Sequence, residues 1–243
     1  MQIDYLIIGQ GISGTWLSYY LSKEGASFLV IDDNNQNAPS RMTAGIINPV
    51  TGRRHVEVWM ADEILPFARN AYTELGNELK ITFISQKDII DFFPTPQMRL
   101  SFQQRVEEKG GYVTLDESAG DLRQWFNYEF GYGQISPVCT AHLETLLPAW
   151  RNKLQLENRL LEETFKSDDL HIEKKSIRYK DIAAKKIIFC DGTSSVNSTF
   201  FNRLPFAPNK GEAMVVEIPE LPAGNIYKKG LMLVPLEKTG LWW

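Results

Sequence analysis

The first part of the chain alternates short apolar runs with a helical pattern of hydrophobic positions. Residues 3–8 form an apolar run of the kind found in strands that are buried on both faces of a parallel sheet. Apolar side chains then recur at helical spacing over residues 12–21 until Gly25, and residues 27–31 form a second apolar run that ends at Asp32. This order of strand, helix and strand predicts a β-α-β unit and an α/β fold with a Rossmann-like parallel sheet.

A longer helical pattern and a change to short strand-like runs divide the rest of the chain. Residues 57–77 carry apolar side chains at helical spacing, which predicts a helix that packs on the first domain. Residues 80–134 contain short strand-like runs around a helical stretch at 97–108. A further helical pattern follows Pro137, and a strand pattern returns at residues 160–165.

The composition is that of a globular protein with a mild negative charge. The 243 residues include 26 Lys and Arg against 30 Asp and Glu, which gives a net charge of −4, and 43% of them are hydrophobic. This balance supplies no general attraction to nucleic acid or to an anionic membrane surface, so we expect neither as a partner. No apolar segment approaches the roughly 20 residues of a membrane span, and no signal-peptide pattern begins the sequence, so we predict a cytoplasmic protein.

The cysteines and histidines are scattered along the chain. Cys139 and Cys190 lie far apart, and His55, His142 and His171 fall at no regular interval from them. No spacing resembles that of a zinc or iron–sulfur site. The sequence therefore predicts no metal centre.

Three glycines follow the first apolar run directly. Gly9, Gly11 and Gly14 have the spacing G-x-G-x-x-G. In a dinucleotide site the first glycine permits a tight turn, the second lets a pyrophosphate approach the backbone, and the third lets the helix pack closely on the strand. The backbone N–H groups near Ile12 and Ser13, at the predicted start of the helix, would face the phosphates. Because the turn lies in register with a strand, a helix and a second strand, it predicts a dinucleotide-binding site.

Two acids stand at the tip of the second predicted strand. Asp32, with Asp33 beside it, is placed to accept hydrogen bonds from ribose hydroxyls. A carboxylate there repels a 2′-phosphate, although Arg41 downstream leaves that exclusion incomplete. The motif alone does not separate a flavin from a nicotinamide cofactor.

The segment after the acidic tip decides between the two cofactors by resemblance. Residues 40–49, and within them Thr43, Ala44, Gly45 and Ile46, resemble the small-residue loop of the D-amino-acid oxidase-like FAD-dependent oxidoreductases, the family that includes glycine and sarcosine oxidases. In that family the loop runs past the flavin ring and the pyrophosphate. The residue types agree with this role, since small side chains leave backbone N–H groups open to a flat ring or a phosphate.

Later segments extend the resemblance over nearly the whole chain. The apolar run at 185–189 ends in Cys190, Asp191 and Gly192, which is similar to the returning strand of FAD domains and its short turn near the cofactor. The family pattern also places a backbone contact to adenine near Glu163. Farther on, residues 210–218 and 233–236 are similar to strands of the family's substrate domain.

The resemblance implies two domains that are both discontinuous in sequence. We predict a Rossmann-like FAD-binding domain from residues 1–79 and 135–203. Residues 80–134 and 204–243 would form a smaller, incomplete substrate domain with an antiparallel sheet in an α+β arrangement.

The implied reaction is oxidation of the carbon–nitrogen bond of an amine or amino acid. Hydride passes from the α-carbon of the amine to flavin N5, and water then hydrolyses the imine. A deprotonated amine needs no strong protein base for this step. Arg53 and Arg54 are candidates for pairing with a substrate carboxylate, and Tyr227 is a candidate for a position above the flavin. The family's residues for covalent flavin attachment have no match, which predicts non-covalent FAD.

Two other functions remain open on the sequence. A nicotinamide-dependent dehydrogenase would share Gly9 to Asp32 but would not explain the Ala44–Gly45 loop. The family also continues well beyond the point at which this sequence ends, in Trp242 and Trp243, two tryptophans expected to be exposed. We therefore expect a truncated chain, and a non-catalytic remnant of the FAD family is the second alternative.

Overall fold

The structure is a computed structural model that describes residues 1–52, 54–108, 111–115, 120–174, 176–236 and 240–243. The α-helices of this part of the chain are α1 (Ile12–Lys23), α2 (Ala61–Leu79), α3 (Pro96–Glu107) and α4 (Leu143–Leu156). Its strands are β1 (Gln2–Ile8), β2 (Phe28–Ile31), β3 (Ile46–Ile47), β4 (Val50–Thr51), β5 (Val56–Glu57), β6 (Ile84–Gln86), β7 (Ile89–Phe92), β8 (Val113–Thr114), β9 (Tyr132–Ile135), β10 (Cys139–Ala141), β11 (Leu160–Leu161), β12 (Leu170–Ile172), β13 (Ile177–Tyr179), β14 (Ile182–Phe189), β15 (Val216–Glu217), β16 (Ile226–Lys229), β17 (Leu231–Leu233) and β18 (Leu241–Trp242).

The chain divides into two compact units, each built from two stretches of sequence. The first unit comprises Met1–Thr43 and Leu143–Lys210, and the second comprises Ala44–His142 and Gly211–Trp243. Both units are discontinuous, but their bounds differ from the predicted division: residues 44–79 and 135–142 belong to the second unit, and residues 204–210 belong to the first. The second unit is consequently not the smaller one. The reason is that β3 pairs with β10, which itself pairs with β6, and α2 packs beside β6.

A six-stranded mixed sheet forms the centre of the first unit. Its strand order is β11-β2-β1-β14-β13-β12. The first four strands are parallel to one another, and β13 pairs antiparallel with both β14 and β12. All four residues of β2 are buried, as the continuous apolar run of a strand in the middle of a sheet requires. Because β1, β2 and β14 are parallel, their carboxyl ends meet at one edge, where α/β proteins bind ligands.

Helix α4 packs beside α1 in the first unit. Tyr19 of α1 meets Trp150 of α4 edge to face, with 5.6 Å between ring centroids. The indole N–H of Trp150 donates to Ser18 Oγ at 2.8 Å in the buried interface. These contacts fix α4, which carries Arg151, against the dinucleotide turn at the start of α1.

The largest sheet of the second unit has five strands in the order β17-β16-β7-β9-β8. It is mixed and not purely antiparallel, since β16 runs parallel to β7 while the other neighbours are antiparallel. The sequence pattern could not show this, because the two strands are far apart along the chain. Among the smaller sheets, β3-β10-β6 is antiparallel throughout.

Several local predictions also change in the structure. Only Leu160–Leu161 of the strand expected at residues 160–165 pairs as a strand. Trp242 was expected to be exposed, but it is fully buried, and its indole N–H donates to the Ile218 carbonyl oxygen at 3.1 Å.

Long apolar helices and metal-binding clusters are both absent from the described residues. No helix among them combines the length and apolar character that crossing a membrane would require. Within the same residues, no group of three or more His, Cys, Asp or Glu side chains is arranged to hold a metal ion.

Candidate functional site

A cavity of about 590 Å³ lies in the first unit, at the carboxyl ends of β1, β2 and β14. Its volume falls in the usual range for small-molecule and cofactor sites. Most of the residues predicted for a dinucleotide site line it together: Gly9, Gly11, Ile12, Ser13, Asp32, Asp33, Arg41, Glu163, Cys190, Asp191 and Gly192.

Two of the three glycines are required by the packing of the turn itself. Gly9 has φ +98°, and a Cβ atom there would lie 2.4 Å from the carbonyl oxygen of Cys190. At Gly14 a Cβ atom would lie 1.9 Å from the carbonyl oxygen of Gly9. Gly14 does not line the cavity, so its role is the close packing of helix on strand.

Gly11 differs from the other two because no backbone atom crowds the position of its missing side chain. Within 4 Å, a Cβ atom would meet only the side chain of Ser40, with Oγ at 3.1 Å. Gly11 and Ser40 both line the cavity, so a methyl group at Gly11 would occupy part of it. A ligand can therefore approach the backbone here closely, as a pyrophosphate does in this type of turn.

The start of α1 presents backbone donors to the same space. Gly11 supplies no capping side chain, and the Ile12 N–H donates to Ser40 Oγ at 3.1 Å. The next amides of the first turn, beginning at Ser13, have no partner within the helix, and the helix dipole adds partial positive charge. This donor set fits an anionic phosphate group.

Asp32 is held at the tip of β2 by three donors. Its Oδ2 accepts the Gln10 N–H at 2.7 Å, and its Oδ1 accepts the Asn34 N–H at 2.9 Å and Arg151 Nη1 at 2.6 Å. A carboxylate has about four acceptor positions, so Oδ2 retains one for a ribose hydroxyl. Asp33 is exposed at the rim, and its Oδ2 is 3.4 Å from Thr164 Oγ1.

Arg151 of α4 was not identified from the sequence. Its side chain is only 7% exposed and bridges the Asp32 carboxylate to Glu162, with Nη2 2.8 Å from Glu162 Oε2. It also donates to the Asp32 carbonyl oxygen and to Gln10 Oε1, each at 3.2 Å. The only sequence signal was one arginine within an apolar helix. The guanidinium neutralises and orients the acid that faces the cavity.

Arg41 contributes a cation to the lining of the cavity. Its Nη2 donates to Asn34 Oδ1 at 3.0 Å, and no described carboxylate lies within ion-pair distance of its guanidinium. Its charge therefore remains uncompensated by the part of the chain that the structure covers. That charge complements a phosphate ligand.

The carboxylate of Glu163 is occupied by partners within the protein. Both carboxylate oxygens accept from Lys180 Nζ at 2.7 Å, and Oε1 also accepts the Tyr179 hydroxyl at 3.0 Å. The hydrogen bond from Lys180 is the main cause that lowers the pKa of Glu163. Its backbone N–H donates to the Leu161 carbonyl oxygen, so the predicted adenine contact would have to use the Glu163 carbonyl oxygen.

The turn after β14 closes the cavity beside Gly9. Asp191 Oδ1 accepts the Ser195 hydroxyl at 2.6 Å, and Gly192, with φ +56°, begins the short 3₁₀ helix Gly192–Asn197. Burial, followed by the charge of Asp191, raises the pKa of the Cys190 thiol. Further lining residues that the motif did not single out are Gln10, Asn35, Asn37, Ser40, Thr164, Phe165, Phe189, Thr193, Ser194 and Ser195.

Ser40 and Arg41 of the small-residue loop line this cavity, but Thr43, Ala44, Gly45 and Ile46 do not. Thr43 ends the first stretch of the first unit, and Ala44, Gly45 and Ile46 belong to the second unit. Gly45 has φ +65°, and a Cβ atom there would lie 2.0 Å from the Ala141 carbonyl oxygen. The Ala141 N–H donates to the Gly45 carbonyl oxygen at 2.8 Å, so the second unit itself requires a glycine at this position.

The candidate substrate residues lie in different surroundings. Arg53 is outside the described residues. Arg54 is exposed, and its carbonyl oxygen accepts from Arg105 Nε at 3.1 Å. Tyr227 is 2% exposed in the core of the second unit, and its hydroxyl donates to the Pro222 carbonyl oxygen at 2.9 Å. Tyr227 therefore packs within this core, and its hydroxyl is not free to contact a substrate.

His55, which the sequence left without a role, is buried in the second unit. Its Nε2 lies 2.8 Å from Asp91 Oδ2, which also pairs with Lys228 Nζ at 2.7 Å. The His55 ring meets Phe102 edge to face, with centroids 4.8 Å apart. A buried carboxylate is thereby paired with a cation, as burial of charge requires.

Comparison with known proteins gives a family match along most of the chain. The sequence model of a family described as FAD dependent oxidoreductase matches residues 4–241.

Solved structures that resemble the fold include glycine oxidase from Geobacillus kaustophilus, with 15% identity and a TM-score of 0.73 over 99% of this chain and 70% of that chain. L-amino acid deaminase from Proteus vulgaris has 11% identity and a TM-score of 0.71 over 99% of this chain and 60% of its own. L-alpha-glycerophosphate oxidase from Mycoplasma pneumoniae, solved with FAD bound, has 14% identity and a TM-score of 0.64 over 100% of this chain and 70% of its own. The present chain therefore spans about 60% of the length of the deaminase.

Proposed function

The chain belongs to the family of FAD-dependent oxidoreductases, and from this premise we propose that it oxidises the carbon–nitrogen bond of an amine or amino acid with non-covalently bound FAD. Membership of this family replaces the nicotinamide-dependent alternative. Glycine oxidase and L-amino acid deaminase, which share the fold, support an amino compound as the substrate.

The observation that carries the proposal is the cavity at Gly11 and the start of α1, where a Cβ atom on Gly11 would meet only the Ser40 side chain and no backbone. The first-turn amides would hold the pyrophosphate of FAD, and the guanidinium of Arg41 would add a cation to it. Oδ2 of Asp32 would accept a ribose hydroxyl while Arg151 holds that carboxylate in position through Oδ1. Each of these residues has a physical reason to face the ADP half of the cofactor.

FAD, when bound, supplies a flavin ring that accepts a hydride. The chain's own task is to orient the amine, to exclude water from it and to anchor any carboxylate that it carries. The loop Thr43–Ile46 would run past the ring, and Arg53 and Arg54 remain candidates for the carboxylate anchor. A substrate that binds as the free amine needs no strong base from the protein.

The test is anaerobic reduction of the FAD-loaded chain by matched pairs of compounds. Each amino acid or amine is mixed with the protein beside its hydroxyl counterpart, for example glycine beside glycolate, and the loss of the oxidised flavin absorbance is recorded. We expect an amino compound to bleach the flavin and to release ammonia, while its hydroxyl counterpart does not.

Two results would overturn the proposal. Bleaching by hydroxyl compounds alone would assign carbon–oxygen oxidation. A chain that binds FAD but is reduced by none of the amino compounds, although dithionite reduces it, would be a non-catalytic member of the family.

A further inference from the structure

A second cavity, of about 400 Å³, lies entirely within the second unit. Its walls are mainly apolar and include Ile47 of β3, Leu65 and Pro66 of α2, Ile84 of β6 and Pro137. The volume lies in the range of small-molecule sites, and binding of an apolar ligand against these walls would release water from both surfaces. No residue of this cavity lines the cavity of the first unit.

The cavity also carries a positive charge. Arg69 of α2 lines it, and no described side chain forms an ion pair or hydrogen bond with its guanidinium. Burial is the main cause that raises the pKa of the Cys139 thiol in the lining. The charge of Arg69 acts in the opposite direction, and that of Asp88 adds to the rise.

The other polar groups that line the cavity limit the kind of ligand that it can bind. The hydroxyl of Tyr112 already donates to Asp62 Oδ1 and is not available to a ligand. Asn70 adds a neutral amide, and no carboxylate lines the cavity within the described residues. An unpaired guanidinium beside apolar walls matches a ligand with one planar anionic group on an apolar body.

We propose that this cavity binds monocarboxylic acids with an apolar body, with the carboxylate paired to Arg69 and the body between β3, β6 and α2. A phosphate ester would bring a double charge to a single guanidinium, and a cationic amine would be repelled by it. The site goes beyond the proposed FAD reaction, and occupation of it does not require FAD.

The chain supplies a reporter for each cavity. Cys139 lines the second-unit cavity, and Cys190 lines the first-unit cavity. Alkylation of each thiol by iodoacetamide is followed by peptide mass spectrometry in the FAD-free chain. We expect 3-phenylpropionate to slow alkylation of Cys139 and not of Cys190, and we expect FAD to do the reverse. Because the two thiols report separately, failure at Cys139 is distinguishable from failure of the FAD proposal at Cys190.

Matched probes and variants test the role of the charge. The amine 3-phenylpropan-1-amine has the same apolar body and is expected to leave the alkylation rate unchanged. In Arg69→Met the concentration of 3-phenylpropionate that gives half-protection should rise about fivefold, and Arg69→Lys should restore part of the effect. Arg203→Met removes an exposed arginine of the first unit and should change nothing.

Direct calorimetric titration of the wild-type chain with 3-phenylpropionate provides a second measurement that needs no variant. Saturable binding at one site is expected. The absence of saturable binding, equal protection of Cys139 by the amine, or unchanged half-protection in a folded Arg69→Met chain would each overturn the proposal.

Discussion

Replacement of Gly11 by alanine should distinguish an effect on folding stability from an effect on FAD binding. The new Cβ atom would touch only the Ser40 side chain, whose Oγ lies at 3.1 Å, and Gly11 has φ −75°, which an L-residue adopts readily. The same methyl group would stand in the cavity where we place the pyrophosphate. The FAD-free chain should therefore tolerate Gly11→Ala, and the FAD complex should not.

The two effects have different sizes. Loss of glycine freedom in the unfolded chain contributes about 0.4–1 kcal/mol to stability, and the tight contact with Ser40 offsets a similar amount, so the free energy of unfolding should change by less than about 1 kcal/mol. A methyl group forced against a closely packed ligand costs about 1–3 kcal/mol, which raises the dissociation constant of FAD about 5- to 150-fold. Stability and affinity should thus separate clearly.

The assay combines urea unfolding of the FAD-free chain with FAD titration followed by flavin fluorescence. Gly224→Ala is a matched control, because a Cβ atom there meets nothing within 4 Å and the position lies in the second unit. Gly9→Ala is the opposite control and should lose the fold, since its Cβ atom would collide with backbone at 2.4 Å. Unchanged FAD affinity in a folded Gly11→Ala chain would refute the assignment of the turn.

Three further predictions concern other parts of the molecule. Gly45→Ala should destabilise the second unit even without FAD, because a Cβ atom lies 2.0 Å from a backbone oxygen, and thermal unfolding should show a lowered midpoint. Arg151→Met should lower the free energy of unfolding by about 3 kcal/mol in urea, because it removes one partner of the buried Arg151–Asp32 ion pair. Lys180→Met should raise the pKa of Glu163 in the folded chain towards its ordinary value. The stabilisation that the lowered pKa provides above the ordinary value is then reduced, so acid unfolding followed by circular dichroism should occur at a higher pH than in the wild type.

Each of these has a result that would contradict it. An unchanged unfolding midpoint in Gly45→Ala would show that the loop has room to move. Equal stability of Arg151→Met and wild type would show that the Arg151–Asp32 ion pair does not stabilise the fold. Partial recovery of stability in Arg151→Met/Asp32→Asn would support its role. For acid unfolding, Lys174→Met removes an exposed lysine of the same unit, and an equal shift in that variant would assign the effect to net charge.

The β-α-β unit was predictable because its signals are local. The apolar run 3–8, the helical spacing after Gly11 and the second run ending at Asp32 became β1, α1 and β2 with bounds shifted by one or two residues. The prediction of an FAD-dependent oxidoreductase family is confirmed by the family match. Glycine spacing and flanking periodicity indicate a dinucleotide site without any tertiary contact, and the resemblance of residues 40–49 indicates the flavin family.

The division into units was not predictable to the same degree, because it depends on pairings between distant segments. Ile46 pairs with Thr140, and Tyr227 runs parallel beside Ile90. No periodicity in residues 44–79 indicates that β3 and α2 join the second unit. The pairing of β3 is decided by β10, roughly 90 residues away along the chain, which local patterns cannot specify.

In the site, backbone roles were accessible from sequence and buried side-chain roles were not. Gly9 and Gly11 have the conformations that the motif implies. Arg151 became visible only when the packing of α4 placed its guanidinium against Asp32. The assignment of individual residues to FAD stays a prediction.

The most direct test of the central claim is the visible absorption spectrum of the gently purified chain after addition of FAD and removal of the excess, repeated on the supernatant after acid denaturation. We expect a protein-bound flavin spectrum and full release of the chromophore into the supernatant, because all the contacts proposed for FAD are non-covalent. A folded chain that retains no flavin, or one whose flavin stays with the precipitated protein, would contradict it.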